Sequence, residues 1–146
     1  MTTLTAQTTQ VYSVFIRATP EQIWDAITKP EFTEQYFYGA RIEIRGGRRF
    51  SAIGDMEWDE EVLEAAPPSR LVHRFVAAYD PDMGAEEPSR VTWEIEPQDG
   101  GITKLTVVHD QLENAPKTAE NVAGGWMYIL SGLKTLLENS QPMAAS

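Results

Sequence analysis

Apolar and polar residues alternate through the middle of the chain, and this pattern predicts a series of antiparallel β-strands. One strand comes early, at residues 11–17. The Gly46-Gly47 and Gly54-Asp55 pairs between later strands are typical of hairpin turns. The later strands are predicted at residues 41–45, 48–53, 56–65, 71–79, 90–96 and 102–110, with a polar loop at residues 80–89.

Helical spacing of apolar residues predicts two short helices after the first strand and a long helix near the C-terminus. Thr19 and Gln22 have the spacing of a capping box, and Pro20 suits the first helical position. A second short helix begins at Pro30. The last helix is predicted at residues 119–139, and its apolar residues fall on one face. They are Val122, Trp126, Ile129, Leu130, Leu133, Leu136 and Leu137.

Helices at both ends of a continuous series of strands indicate an α+β fold. The long helix needs a broad apolar surface to cover its stripe, and the preceding strands provide it. We therefore predict a curved antiparallel sheet of about six or seven strands wrapped around the C-terminal helix. A single domain is expected at residues 11–139, with flexible segments at residues 1–10 and 140–146, because 146 residues suit one core.

Charge and composition narrow the expected partners. The net charge is −10 without a dense Lys/Arg stripe, so neither nucleic acid nor an anionic membrane is expected to bind. No long apolar run predicts a membrane span. The absence of cysteine excludes disulfides and thiolate metal sites. The first ten residues lack the pattern of a secretory signal, so we expect a cytoplasmic protein.

Four segments of the chain together carry a family resemblance. They are residues 18–28, residues 61–72, residues 91–97 with 103–109, and Gly125-Trp126 with Leu130, Leu133 and Lys134. In this order they resemble the family named after the C-terminal domain of the activator of the heat-shock-protein-90 ATPase. That family lies in the superfamily of START domains, birch-pollen-type allergens and polyketide cyclases (SRPBCC). The resemblance covers residues 11–138 and implies a helix-grip fold, with a pocket between the sheet and the last helix.

Strand alternation predicts which side chains enter that pocket. If the aromatic-rich faces point inward, Phe75, Trp93 and both histidines surround one space together with Trp126. The second short helix would place its aromatic residues at the cavity mouth. The candidate ligand-binding residues are Tyr36, Phe37, Trp58, His73, Phe75, Trp93, His109, Trp126, Ile129, Leu130 and Leu133.

His73 and His109, the two histidines of the chain, admit three interpretations. Each could be a core histidine bonded to a backbone carbonyl or a hydroxyl, a group that orients a ligand, or a general acid/base. Glu60 shares the predicted inward face with Trp58 and is a further candidate carboxylate. We predict no metal site, because the histidines lie on different strands without a matched carboxylate. No cofactor is expected.

Three hypotheses about function follow. The first is a binding protein that holds an apolar or aromatic small molecule or a lipid without chemistry. The second is an enzyme of the cyclase, dehydratase or hydrolase type, with His73 or His109 as base and Tyr36 or Glu60 assisting. The third, implied by the resemblance, is interaction with a chaperone through the outer surface. We expect a monomer or a weak dimer.

Overall fold

The computed structural model describes residues 8–143, which hold seven strands. The outer parts of the predicted flexible segments, residues 1–7 and 144–146, lie outside the described residues. In chain order the strands are β1 (Gln10–Ile16), β2 (Arg41–Arg45), β3 (Arg48–Ile53), β4 (Met56–Ala66), β5 (Arg70–Phe75), β6 (Ser89–Pro97) and β7 (Thr103–Asp110).

All seven strands form one antiparallel sheet in the order β1-β7-β6-β5-β4-β3-β2. The turn between β2 and β3 is the predicted Gly46-Gly47 pair, whose φ angles of 58° and 75° are readily adopted by glycine. The β4–β5 register shifts between Val62 and Glu64. Irregularities of this kind bend a strand, which suits a sheet that curves around a helix.

The described residues also hold four α-helices: α1 (Pro20–Thr28), α2 (Pro30–Thr33), α3 (Pro81–Gly84) and α4 (Pro116–Asn139). A short 3-10 helix at Asp99–Gly101 lies between β6 and β7. At the start of α1 the predicted capping box is present, because Thr19 and Gln22 exchange hydrogen bonds. None of the helices in residues 8–143 is long and apolar enough to cross a bilayer. The predicted α+β helix-grip architecture is therefore confirmed, with α1 and α2 after the first strand and α4 against the sheet.

Several element boundaries differ from the predictions. The strand predicted at residues 71–79 ends at Phe75, because the Val76 N–H donates to the Glu60 carboxylate at 2.8 Å instead of to a neighbouring strand. The loop predicted at residues 80–89 contains α3, whose first N–H groups are capped by the Asp80 side chain.

The long helix α4 begins at Pro116, three residues before the predicted start. Proline suits the first turn of a helix because the N–H that it lacks would have no intrahelical partner. The Glu86 carboxylate accepts the N–H groups of Lys117 and Thr118 at 2.9 and 2.8 Å, so a distant side chain caps this helix.

The core lies between α4, α1 and one half of the sheet. Its buried apolar residues come from β1, β5, β6, β7, α1, α3, α4 and adjoining loops, whereas β2, β3 and β4 contribute none to this cluster within residues 8–143. The principal contributors are Ile16, Ile23, Leu71, Val91, Trp93, Ile95, Leu105, Val107, Trp126, Ile129, Leu130 and Leu133.

The turn after α2 is held in place by contacts with both α1 and α4. The Tyr36 hydroxyl donates to the Ala26 carbonyl at 2.6 Å, and a Cβ added at Gly132 would lie only 3.1 Å from the Tyr36 Cβ. Thr33 is fully buried; its Oγ1 donates to the Ala40 carbonyl at 2.9 Å and accepts the Ile42 N–H at 2.8 Å. This hydroxyl therefore links α2 to the start of β2.

We expect Thr33→Val to lower the free energy of unfolding by about 1–3 kcal/mol, because the isosteric change leaves the Ala40 carbonyl and the Ile42 N–H buried without their partner. Urea unfolding measures the change. Thr33→Ser keeps the hydroxyl and is expected to lose less. Equal stability of Thr33→Val and the wild type would contradict the structural role of this hydroxyl.

Candidate functional site

A cavity of about 410 Å³ lies between α4 and the half of the sheet that the core does not fill. Strands β2, β3 and β4 form one wall, and the N-terminal half of α4 forms the other. Its lining is mainly apolar and aromatic. The lining residues are Phe37, Tyr38, Ala40, Ile42, Arg49, Ser51, Ile53, Trp58, Phe75, Tyr79, Asn121, Val122, Gly125, Trp126 and Ile129.

Two exposed tyrosines contribute to this lining. The Tyr79 hydroxyl donates to Asn121 Oδ1 at 3.0 Å and so joins the loop after β5 to α4. The Tyr38 ring stacks on Tyr128, with ring centroids 5.1 Å apart. Both tyrosines are more than one third exposed, so they bring aromatic surface to the boundary between cavity and solvent.

Arg49 is the one charged residue in the lining, and its charge is compensated inside the protein. Its Nη1 donates to Glu60 Oε1 at 2.9 Å, and only 4% and 1% of the two side chains are exposed. The second carboxylate oxygen of Glu60 accepts the Val76 N–H. Burial raises the pKa of Glu60, while the Arg49 charge and these hydrogen bonds oppose that rise.

Two buried polar atoms on the cavity wall have no hydrogen-bond partner. They are Ser51 Oγ and Trp58 Nε1, and within residues 8–143 no other buried side-chain nitrogen or oxygen is in this condition. The two residues are Cα partners across the β3–β4 ladder. Buried polar atoms normally have a partner, so this pair is the most direct sign of where a ligand would bond.

His73 is fully buried, and both of its ring nitrogens are bonded. Nε2 accepts the Trp93 indole N–H at 3.0 Å, and Nδ1 lies 2.7 Å from the Arg74 carbonyl, to which it donates. Because an indole N–H can only donate, Nε2 carries no proton and the ring is neutral. Burial is the main cause that holds the pKa of His73 well below its ordinary value, and the nearby Arg49 charge lowers it further.

His109 has a matching arrangement and is also fully buried. Its Nδ1 accepts the Trp126 indole N–H at 3.0 Å, and its Nε2 lies 2.7 Å from Ser89 Oγ. Nε2 therefore carries the proton and donates to Ser89. Burial lowers the pKa of His109 to about 4, with a small opposing effect from Asp110.

The predicted site residues fall into two groups. Phe37, Trp58, Phe75, Trp126 and Ile129 line the cavity. The remaining predicted residues are buried in the packed core and are not part of this lining. This second group is Tyr36, His73, Trp93, His109, Leu130 and Leu133.

Arg49 and Ser51 belong to the lining although neither was predicted to be a site residue. Both lie on β3 directly opposite residues that were singled out, since Arg49 pairs with Glu60 and Ser51 pairs with Trp58. Counting back across the Gly46-Gly47 and Gly54-Asp55 turns would have placed them on the same face. Among the described residues, no three His, Asp or Glu side chains converge in a way that could hold a metal ion.

The curved sheet, the long helix and the cavity between them define a helix-grip protein. The chain belongs to the family described as Activator of Hsp90 ATPase homolog 1-like protein, whose family model matches residues 17–138. No curated protein matches the chain significantly.

Solved structures show the same fold. A conserved protein of unknown function from Enterococcus faecalis, EF2215, has a TM-score of 0.74 at 20% identity, over 94% of this chain and 74% of that one. MLL2253 from Mesorhizobium loti has a TM-score of 0.73 at 25% identity, over 91% and 98%. PFC0360w, an HSP90 activator from Plasmodium falciparum, has a TM-score of 0.73 at 17% identity, over 90% and 97%.

The histidine network predicts how stability depends on pH. The unfolded chain binds a proton on His109 near its ordinary pKa of 6.5, whereas the folded protein does so only near pH 4. The unfolded state therefore holds more protons between these values, and the contribution of His109 to stability is lost as the pH falls through this window. We expect the imidazole NMR signals of His109 to stay constant down to about pH 5.

His109→Gln is the comparison variant, because it lacks the titrating ring and should show a weaker loss of unfolding free energy in this pH range. An imidazole that titrates near pH 6.5 in the folded wild type would contradict the buried neutral state.

Proposed function

We propose that this protein binds a small apolar or aromatic molecule in the cavity between the sheet and α4, without carrying out a reaction. The observation that carries the proposal is the cavity itself, about 410 Å³ with a mainly apolar and aromatic lining. Cavities for small ligands usually have volumes of roughly 300–1,000 Å³ and combine apolar walls with a few polar groups.

The polar groups of the lining support a ligand-binding cavity and not an interior that serves only as packed core. Arg49, Ser51 and Trp58 lie together on one wall, and Asn121 lies on the helix side. A few polar atoms in an apolar cavity fix the orientation of a ligand without making the site hydrophilic. We do not propose a bound metal or cofactor.

The acid/base enzyme hypothesis gains no support from the histidines. His73 and His109 lie outside the cavity lining, and each ring has one nitrogen that accepts an indole N–H and one that donates its proton. Neither ring therefore has a free lone pair with which to remove a proton from a ligand. Glu60 faces Arg49 and Val76 with its two oxygens and is not part of the lining.

A second candidate function is activation of a chaperone ATPase. It is favoured by the family to which the chain belongs and by the structural likeness to PFC0360w. It requires the outer surface and not the cavity. Addition of the purified protein to heat shock protein 90 should then raise the rate of ATP hydrolysis, and a variant with a filled cavity should raise it equally.

We expect native mass spectrometry to detect one small molecule per chain when the protein is incubated with apolar and aromatic metabolites and lipids. Ile53→Trp and Val122→Phe, on opposite walls, should reduce the bound fraction at least tenfold by occupying the cavity. Val11→Phe is the matched control, since Val11 is 60% exposed and lies outside the lining. The same spectra report whether the protein is a monomer or a weak dimer.

The absence of any bound mass across the panel would contradict the proposed function, as would equal binding by the two filled variants and the wild type. Either result would leave the chaperone as the remaining candidate partner.

A further inference from the structure

We infer that the ligand carries a neutral oxygen acceptor, such as a ketone, ester or quinone carbonyl, which lies against Ser51, Trp58 and Arg49. The inference rests on the proposed binding function and specifies the chemical class of the ligand. It concerns the wall formed by β3 and β4, where the polar groups of the cavity are concentrated.

Four residues form a two-by-two block on this wall. In the β3–β4 ladder Ser51 is opposite Trp58, and Arg49 is opposite Glu60. Residues two apart on a strand share a face, so all four side chains point to the same side of the sheet. Directly opposite side chains have Cβ atoms roughly 5 Å apart, so Ser51 and Trp58 are neighbours on this wall.

The block offers hydrogen-bond donors. The Trp58 indole N–H can only donate, the Arg49 guanidinium has five N–H groups of which Nη1 reaches Glu60, and the Ser51 hydroxyl can donate. Trp58 Nε1 and Ser51 Oγ have no partner within the described part of the chain although they are buried. A ligand that satisfies both atoms at once must therefore bring an acceptor, and an oxygen atom is the usual one.

The charge of the block favours a neutral acceptor over a carboxylate. Glu60 already compensates the Arg49 charge at 2.9 Å, with both side chains almost completely buried. A ligand carboxylate at Ser51 and Trp58 would add a second negative charge beside this neutral pair, in a site with apolar surroundings. Burial of an uncompensated charge is much more costly than burial of a carbonyl group.

Three probes of similar shape separate these possibilities: ethylnaphthalene, acetylnaphthalene and naphthoate, measured by isothermal titration calorimetry. Acetylnaphthalene should bind more tightly than the other two. Ser51→Ala and Trp58→Phe should each weaken acetylnaphthalene binding by about threefold to tenfold, the effect of one lost hydrogen bond, and leave ethylnaphthalene binding within about twofold.

Two control variants match these changes. Trp24→Phe removes an indole N–H outside the cavity lining. Ser13→Ala removes an exposed hydroxyl that bonds Thr106 on the sheet. Both controls should bind all three probes as the wild type does.

Glu60→Gln tests the role of the ion pair. The glutamine keeps an oxygen that can accept from Arg49 but no longer compensates its charge. The preference for acetylnaphthalene over naphthoate should then shift by about tenfold toward naphthoate, because hydrogen bonds between charged groups are the stronger ones. Circular dichroism establishes that the variant is folded, and the Ser51 and Trp58 variants test the inference independently of it.

The outcomes distinguish this inference from the proposed function. Equal binding of ethylnaphthalene and acetylnaphthalene, unaffected by Ser51→Ala and Trp58→Phe, would overturn the inference and leave the binding function intact. If naphthoate binds the wild type more tightly than acetylnaphthalene does, the inference that the acceptor is neutral would be overturned. If none of the probes or metabolites binds, both the function and the inference fail.

Discussion

The hydrogen bond from the Trp126 indole of α4 to His109 of β7 is the interaction on which the rest of the structure depends. It joins the helix to the sheet inside the core, where both residues are almost fully buried. A broken bond would leave two polar atoms without partners in an apolar environment, so the position of the helix is strongly determined. The helix thus packs on the half of the sheet formed by β1, β5, β6 and β7, and the cavity forms at β2, β3 and β4.

The two halves of the sheet satisfy their polar groups in different ways. In the packed half His73 and His109 bond to tryptophans, a hydroxyl and a backbone carbonyl, which completes their hydrogen bonding within the protein. In the cavity half Arg49 has a partner in Glu60, whereas Ser51 and Trp58 have unused donors. The first half is therefore the one whose polar groups stabilise the fold, and the second half carries the donors on which the proposed binding function relies.

The fold could be predicted from the sequence because local patterns carry it: alternation in the strands, the Thr19–Gln22 capping box and the apolar stripe of α4. The end of β5 could not be predicted in this way, because it depends on a hydrogen bond between Val76 and Glu60, which are distant in the chain. The cavity lining was only partly predictable. Aromatic residues that fill a core and those that line a cavity show the same alternation in the sequence. The burial of Arg49 depends on Glu60, its partner across the β3–β4 ladder.

Membership of this family shows the fold of the chain but does not identify a ligand. The segments that carry the resemblance noted in the sequence lie largely in α1, in the packed half of the sheet and in α4. They are residues 18–28, residues 61–72, residues 91–97 with 103–109, and Gly125-Trp126 with Leu130, Leu133 and Lys134. Strands β2 and β3 and the first half of β4 fall outside them, and these strands supply the polar wall with Arg49, Ser51 and Trp58. The family model covers these strands as well, since it matches residues 17–138, so membership of the family shows the fold and leaves the ligand open. In the binding function proposed above, the ligand would be selected by these few polar residues, because one fold can serve many functions.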